Sequence, residues 1–440
     1  MKTMKFLVPF LIILAITACT KDDQQLSVMS KKQDNNLTDK KFKIAVISDL
    51  HLMEASLLKS DGYAFQMYLM QDPKLLQQSE AILKQIIFRL LVEKPDLALI
   101  SGDLTKDGEL VSHQAMVKHL QILTENGIKV VVIPGNHDIN NPDAKQFDGN
   151  MATPVESVTA DQFKSLYSNF GYNDAISNDD NSLSYVSEPV KGLQILAIDA
   201  NEYYNNTPTY SVVAGKIKDQ TMNWAKDQIA EAKANGKIII GMMHHGLVEH
   251  FMGESFIFPD FLVDNRASAA DTLMKAGLKV IFTGHFHAND AIQRKFENYT
   301  LTDVETGSAV SYNSPYRIAE LRDSKLYINT KNIERIFYPG LNGIHFRNYS
   351  KDFTMDGITL QSKYMLMNPP YYVPEPYANQ IAPVFAQAMV AHLIGDETVT
   401  TEISNNILMV SGLSEELGNI LKGLYMDLPP TDNTLVIDLK

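Results

Sequence analysis

The chain has 440 residues, 45% of them apolar and 21% charged, with a net charge of −13 and a pI near 5.3. That length can bury a large core and allows two or three domains, while the acidic balance and the lack of a basic cluster exclude a nucleic-acid groove. A single cysteine excludes an intrachain disulfide.

The first residues read as an export signal. Lys2 and Lys5 flank the start, Phe6 to Ile16 is an apolar run too short to span a bilayer comfortably, and Thr17-Ala18 places small residues before Cys19. This ending resembles a bacterial lipoprotein box, which implies a signal peptide and lipobox over residues 1–19, with Cys19 lipidated as the new N-terminus. The competing reading is an ordinary signal peptide cleaved nearby. Residues 20–40 are polar and aperiodic, the signature of a disordered tether. Lys21-Asp22-Asp23 resembles the acidic signal that sends some lipoproteins to the outer face of an outer membrane.

From Phe42 the pattern changes to alternating strands and helices. Phe42–Ser48 is a strand candidate running into Asp49-Leu50-His51. Residues two apart on extended chain face the same way, so Asp49 and His51 can converge on one ion. The bland alternative is a strand-end aspartate beside a surface histidine. Met53–Asp72 is a polar-aromatic connection, either a pocket wall or simple packing. A helix over about Lys74–Glu93 repeats Ile82/Leu83, Ile86/Ile87 and Leu90/Leu91 on one face, and Pro95 stops it. Leu97–Ile100 is a buried strand leading to Ser101-Gly102-Asp103. The helix of about Glu109–Glu125 carries His113 on its apolar side, as a satisfied core histidine. Val130–Ile133 then delivers Pro134-Gly135-Asn136-His137-Asp138. The amide oxygen of Asn136 can bind a metal or a phosphoryl oxygen, His137 can move a proton, and Asp138 can orient the ring. On its own this phrase reads equally well as an Asx turn.

Residues 139–190 are rich in loop residues. Leu193–Ile198 is a strand ending at Asp199, and residues 215–234 form an amphipathic helix with Trp224 toward the core. Ile238–Met242 is a strand followed by His244-His245-Gly246. Adjacent histidines rarely face one ion together, so His244 is taken as the ligand and His245 is turned to pocket or solvent. Ser268–Ala276 is a short helix, with Ser268 and Asp271 as a variant capping box. Val280–Phe282 leads into Gly284-His285-Phe286-His287, again with two histidines two apart. Alternating segments in 296–347 supply further strands. Composition breaks near 350, and 350–440 reads as a small, mostly helical C-terminal domain with helices at about Tyr377–Ile394 and Ser414–Tyr425.

The candidates are therefore Asp49, His51, Asp103, Asn136, His244, His285 and His287, each just past a strand end, where open α/β sheets place their sites. Seven oxygen and nitrogen donors exceed one tetrahedral site and suit two divalent cations sharing a carboxylate. The order Asp-x-His, Gly-Asp, Gly-Asn-His-Asp, His, Gly-His-x-His resembles the calcineurin-like metallophosphoesterase family over about residues 42–290, extending to about 345. The resemblance implies a four-layered α/β/β/α sandwich over 41–347. It implies Asp49, His51 and His287 on one metal, Asn136, His244 and His285 on the other, and Asp103 bridging them. Manganese, iron, zinc or cobalt all suit such donors. The family chemistry is attack on phosphorus by hydroxide held between the metals, with His137 and Asp138 serving the leaving group. Within the family the spacing is most similar to class III cyclic-nucleotide phosphodiesterases and glycerophosphodiester hydrolases, lipoprotein members included. This implies a small phosphodiester substrate and an envelope protein anchored to the membrane at Cys19. The alternatives are a phosphomonoesterase such as a nucleotidase and, from another class, a non-catalytic ligand-binding lipoprotein. The latter predicts a missing ligand or a missing His137, and neither is missing.

Overall fold

A computed structural model describes residues 41–440. The expected signal peptide, Cys19 and the expected tether to residue 40 lie outside the described residues. Two large sheets dominate. The first has six strands, in spatial order Thr434–Asp438, Lys325–Asn332, Pro315–Arg322, Phe42–Ile47, Leu97–Ser101 and Lys129–Ile133. Its last three run parallel to one another and the others pair antiparallel. The second has seven, in the order Ala291–Phe296, Tyr299–Glu305, Val280–Thr283, Ile238–Met243, Leu193–Ile198, Tyr185–Val190 and Ala175–Asn178, with a parallel centre. A three-stranded sheet of Leu58–Ser60, Lys145–Asp148 and Met151–Pro154 lies apart from them.

The layering follows from strands that are apolar on both faces. On Leu193–Ile198, Leu193, Ile195 and Ala197 join the large core shared by both sheets. The alternate residues Leu196 and Ile198 pack outward with Ala225 and Ile229 of the helix Asp219–Ala234 and with Leu273 of the helix Arg266–Ala276. On the other side, Ile82, Ile86 and Leu90 of Ser79–Glu93 and Met116, Leu120 and Leu123 of Leu110–Glu125 cover the first sheet. Helix, sheet, sheet, helix is the four-layered sandwich.

Local departures have physical causes. Tyr63–Gln71 is a helix, yet only Phe65 of it is buried, so no apolar stripe marked it. Ser268 makes no capping box. The helix begins at Arg266, Ser268 Oγ donates to the Asn265 carbonyl, and Asp271 accepts from Arg294 Nε at 2.7 Å. His113 is buried as expected, with Nδ1 2.8 Å from the Tyr167 hydroxyl and Nε2 2.9 Å from the Asp138 carbonyl. Trp224 is half-buried and donates to Ser177 Oγ.

The tail holds four helices: Phe346–Met367, Glu375–Ile394, Thr401–Leu413 and Glu415–Leu424. The chain then leaves the helical pattern. Thr434–Asp438 returns to the first sheet and pairs antiparallel with Lys325–Asn332, burying Leu435 and Ile437 in the main core.

Candidate metal centre

Five loops meet where the C-terminal ends of the two sheets come together. Backbone bonds join the first two: Asp49 N–H donates to Gly102 O at 3.2 Å, and His51 N–H to Asp103 O at 2.9 Å. Side chains join the rest. Asp103 Oδ1 accepts from His137 N–H at 3.0 Å, and across the sheets Asp49 Oδ2 accepts from His285 N–H at 3.1 Å. Asp49, His51, Asp103, His285 and His287 all adopt positive φ. Non-glycine residues avoid that region, and here the surrounding bonds hold the strain in place. Space is equally tight. A Cβ at Gly135 would overlap the Asp103 carboxylate, and one at Gly284 would overlap Ser48 Oγ.

The donors converge in two sets, Asp49–His51–His287 and Asp103–His244–His285, joined by a third, His51–Asp103–His137, that shares a residue with each. His51 Nε2 lies 3.2 Å from His287 Nε2, and Asp49 Oδ1 is 3.4 Å from His287 Nε2. Asp103 Oδ2 stands 3.4 Å from both His51 Nε2 and His244 Nε2, between the two sets. Asn136 Oδ1 is 3.1 Å from His244 Nε2. His244 Nδ1 donates to the Ser101 carbonyl at 2.8 Å, which fixes the tautomer and leaves Nε2 free to ligate. His285 Nε2 is engaged by the Asp260 carbonyl at 3.2 Å, so Nδ1 is its free donor. Asp49 Oδ1 is buried without a hydrogen-bond partner among the described residues. A bare buried carboxylate oxygen facing imidazole nitrogens is costly unless a cation completes it. The residues fit two divalent ions. Burial works to raise the Asp103 carboxyl pKa, but His244, His137 and His51 together hold it well below the usual range.

Asp138 and His245 stand where the sequence reading did not put them. The Asp138 carboxylate does not reach the His137 ring. It accepts from Leu104 N–H, Thr105 N–H, Thr105 Oγ1 and Gly135 N–H at 2.9–3.1 Å, stapling two ligand loops together. Burial, with Asp103 nearby, pushes its pKa up to about 7. The group on His137 Nδ1 is Asp107, with Oδ1 at 2.8 Å, alongside the Lys106 carbonyl at 2.8 Å. Asp107 is in turn held by Lys106 Nζ and by the Tyr68 hydroxyl at 3.0 Å. His245 faces neither pocket nor solvent. It is buried, with Nε2 2.8 Å from the Val213 carbonyl.

Lys74 is a further residue the sequence reading passed over. It is buried, paired with Asp72 at 2.6 Å, and its Nζ lies 3.4 Å from both His51 Nδ1 and His137 Nε2. The side chains of His137 and His287 are 21% and 18% exposed while the other donors are buried, so the centre opens to solvent on their side. A cleft of about 400 Å³ is lined by Asn140 and Asn141, two and three residues beyond Asp138, together with Pro142, Pro154, Val155, Asn206 and Thr207.

Oxygen and nitrogen donors raised on strand ends of a layered α/β fold define a metal-dependent α/β protein with a two-ion centre. The calcineurin-like phosphoesterase model matches residues 42–289, more than half the chain, and the chain belongs to that family of metal-dependent phosphoesterases. Two curated relatives, each named probable cyclic nucleotide phosphodiesterase, are similar over short stretches. One, from Vesicomyosocius okutanii subsp. Calyptogena okutanii (strain HA), is 41% identical over 69 residues, 16% of this chain and 28% of the relative. The other, from Ruthia magnifica subsp. Calyptogena magnifica, is 46% identical over 59 residues, 13% and 24% respectively. The matched stretches thus span about a quarter of each relative's own length. Among solved structures, a dimetal phosphatase from Danio rerio aligns over 66% of this chain and 96% of its own, at 12% identity and a TM-score of 0.47.

Proposed function

We propose that this metallophosphoesterase hydrolyses small phosphodiesters, with cyclic nucleotides and glycerophosphodiesters as the substrate classes. The observation that carries this reading is the charge of the centre. Among the described residues, Lys74 is the one lysine or arginine side chain within hydrogen-bond reach of the donor set, and Asp72 already pairs with it. That suits the single negative charge of a diester better than the two of a monoester. A cleft on the loop that follows the Asn136–Asp138 motif has an uncharged lining, with Asn140, Asn141, Asn206 and Thr207 beside Pro142, Pro154, Val155 and Pro208, and such a lining suits a nucleoside or glycerol substituent. The names of the two partial relatives support the same direction.

Asp49, His51 and His287 would hold one ion, Asn136, His244 and His285 the other, and Asp103 both. When bound, the pair would supply Lewis acidity toward phosphoryl oxygens and lower the pKa of bound water. The chain's own contribution is proton placement. Both groups on His137 Nδ1 are acceptors, so Nδ1 carries the hydrogen and Nε2 faces the centre. Burial and Lys74 lower the His137 pKa, but Asp103 and Asp107 outweigh them and raise it. Of these, Asp107 sits directly on Nδ1 and favours the protonated ring. As the P–O bond to the leaving group breaks, Nε2 passes its proton to the departing oxygen, and Asp107 stabilises the charged ring beforehand. Lys74 Nζ places a positive charge beside that oxygen.

The test is kcat/KM on bis(p-nitrophenyl) phosphate against p-nitrophenyl phosphate, with manganese-loaded protein and an Asn136→Ala control. Preference for the diester, lost in the control, supports the reading and leads to a cyclic-nucleotide and glycerophosphodiester panel. Preference for the monoester overturns it in favour of a nucleotidase-like activity. The envelope location belongs to the same proposal and rests on Cys19 and the apolar run before it. A Cys19→Ala variant is expected to lose its lipid mass increment and leave the membrane fraction.

A further inference from the structure

A second group of metal-binding residue types lies at the seam between the catalytic sheets and the C-terminal helices. Asp290 sits three residues beyond His287, His392 lies in the last turn of Glu375–Ile394, and Glu397 follows that helix. One donor atom from each lies within 4.8 Å of the others. His392 Nδ1 is 2.8 Å from Glu397 Oε1 and 3.5 Å from Asp290 Oδ2. All three side chains are nearly solvent-free, at 6% exposed for Asp290, 2% for His392 and 1% for Glu397.

Two observations separate this group from an ordinary buried ion pair. Glu397 Oε2 and His392 Nε2 have no hydrogen-bond partner among the described residues. The surroundings hold more carboxylates than cations: burial opposes charge on His392 and His250, but the acids around them outweigh it and raise the pKa of both. Glu254, Asp303, Glu305 and Asp432 are buried nearby, and the one buried guanidinium, Arg317, directs its bonds to the carbonyls of Asp432, Asp290 and Glu305 and to Thr330 Oγ1, not to any carboxylate. His250 serves Asp290 Oδ1 at 2.9 Å. Backbone N–H groups satisfy several of these acids: Leu247 and Val248 on Asp303, Ala288 on Glu305, Ala291 and Asp396 on Asp432. No comparable donor reaches Glu397 Oε2. Burial pushes the Glu254 carboxyl up to about 7, as expected where carboxylates lack compensation.

We infer that Asp290, His392 and Glu397 bind a third divalent cation of the zinc or manganese class, distinct from the catalytic pair. One imidazole and two carboxylates match the donor preferences of those ions, and water completes the coordination. The ion ties the end of a C-terminal helix to the chain just past the His285–His287 loop. Phe286, between those two ligands, already packs with ring centroids 5.6 Å from His392 and 5.7 Å from Phe251. The site is structural: it holds the metal loop of the catalytic centre against the tail.

The test is metal content by mass spectrometry on detergent-purified full chain, loaded with zinc and exhaustively dialysed. Three equivalents are expected for the natural sequence and two for the near-isosteric Glu397→Gln. With the catalytic centre broken by Asp103→Asn and His244→Asn, one equivalent is expected, and adding Glu397→Gln removes it. Circular dichroism verifies that each variant is folded. Two equivalents in the natural sequence overturn the inference whatever the variants do, and so does a folded Glu397→Gln protein that keeps three. The count does not depend on turnover, so it stands or falls separately from the proposed substrate class.

Discussion

His137 is held by its Nδ1 hydrogen between Asp107 and the Lys106 carbonyl, and that clamp separates two aspartates adjacent to the motifs. Asp107→Asn keeps the shape and removes the charge that favours the protonated ring. It is expected to lower kcat by about 10²-fold with little change in KM, in line with general-acid losses. Asp138→Asn acts differently. Its carboxylate takes four donors, and an amide must present N–H₂ to some of them, so about 1–3 kcal/mol of stability is expected to go with it. Urea denaturation and steady-state kinetics on both variants decide this. Equal kinetic losses without a stability difference would return the orienting role to Asp138. Lys74→Met is expected to lower turnover most for esters with poor leaving groups. A series of aryl diesters of graded phenol acidity tests it, and an unchanged dependence on leaving-group acidity removes Lys74 from that role. The seven donors were legible because each follows an apolar run of strand length. Asp107 and Lys74 were not, because their tasks come from loops folding back in space. Asp107 stands thirty residues before the ring it holds, and Lys74 opened what read as a helix with one apolar face, although the helix itself begins at Ser79.

At the scale of elements, the strands were readable because both of their faces are apolar, and the helices Ser79–Glu93 and Leu110–Glu125 because their buried residues recur at helical spacing. Phe346–Met367 escaped notice because the residues it buries include Ser350, Thr354 and Ser362, which carry no hydrophobic period. The Leu110–Glu125 helix also carries a built-in pH response. His113 is locked between Tyr167 and the Asp138 carbonyl, and burial lowers its pKa to about 4. The unfolded ring takes a proton near its ordinary pKa of about 6.5. Between these values the unfolded state binds more protons than the native one, so stability falls as pH drops through the window, by on the order of 3 kcal/mol from this group. His113→Gln is expected to be less stable at neutral pH and to show a flatter decline from about pH 6.5 to 4. Urea midpoints for the two proteins across that range make the comparison, and parallel curves would mean that other groups carry the acid sensitivity.

For the whole molecule, the question is how far the tail stands apart from the catalytic layers. The composition break near 350 suggested an appendage, and four helices do begin at Phe346. Yet the chain comes back. Leu435 and Ile437 enter the main core from the edge strand Thr434–Asp438, and the helices cover Phe251, Phe286 and Ala288 beside the metal loop. Burying each of those two edge-strand side chains contributes about 1.5–3 kcal/mol. Removing residues 346–440 would uncover the aromatic patch around Phe286 and leave Lys325–Asn332 as an open sheet edge, both of which favour aggregation. The truncated chain is expected to be insoluble, or to melt well below the full protein with reduced metal content. A shorter deletion of 430–440 is expected to stay soluble but lose stability by about the burial of Leu435 and Ile437. A fragment ending at residue 345 that is soluble, binds its two ions and turns over substrate at the full rate would show that the catalytic layers need nothing from the tail.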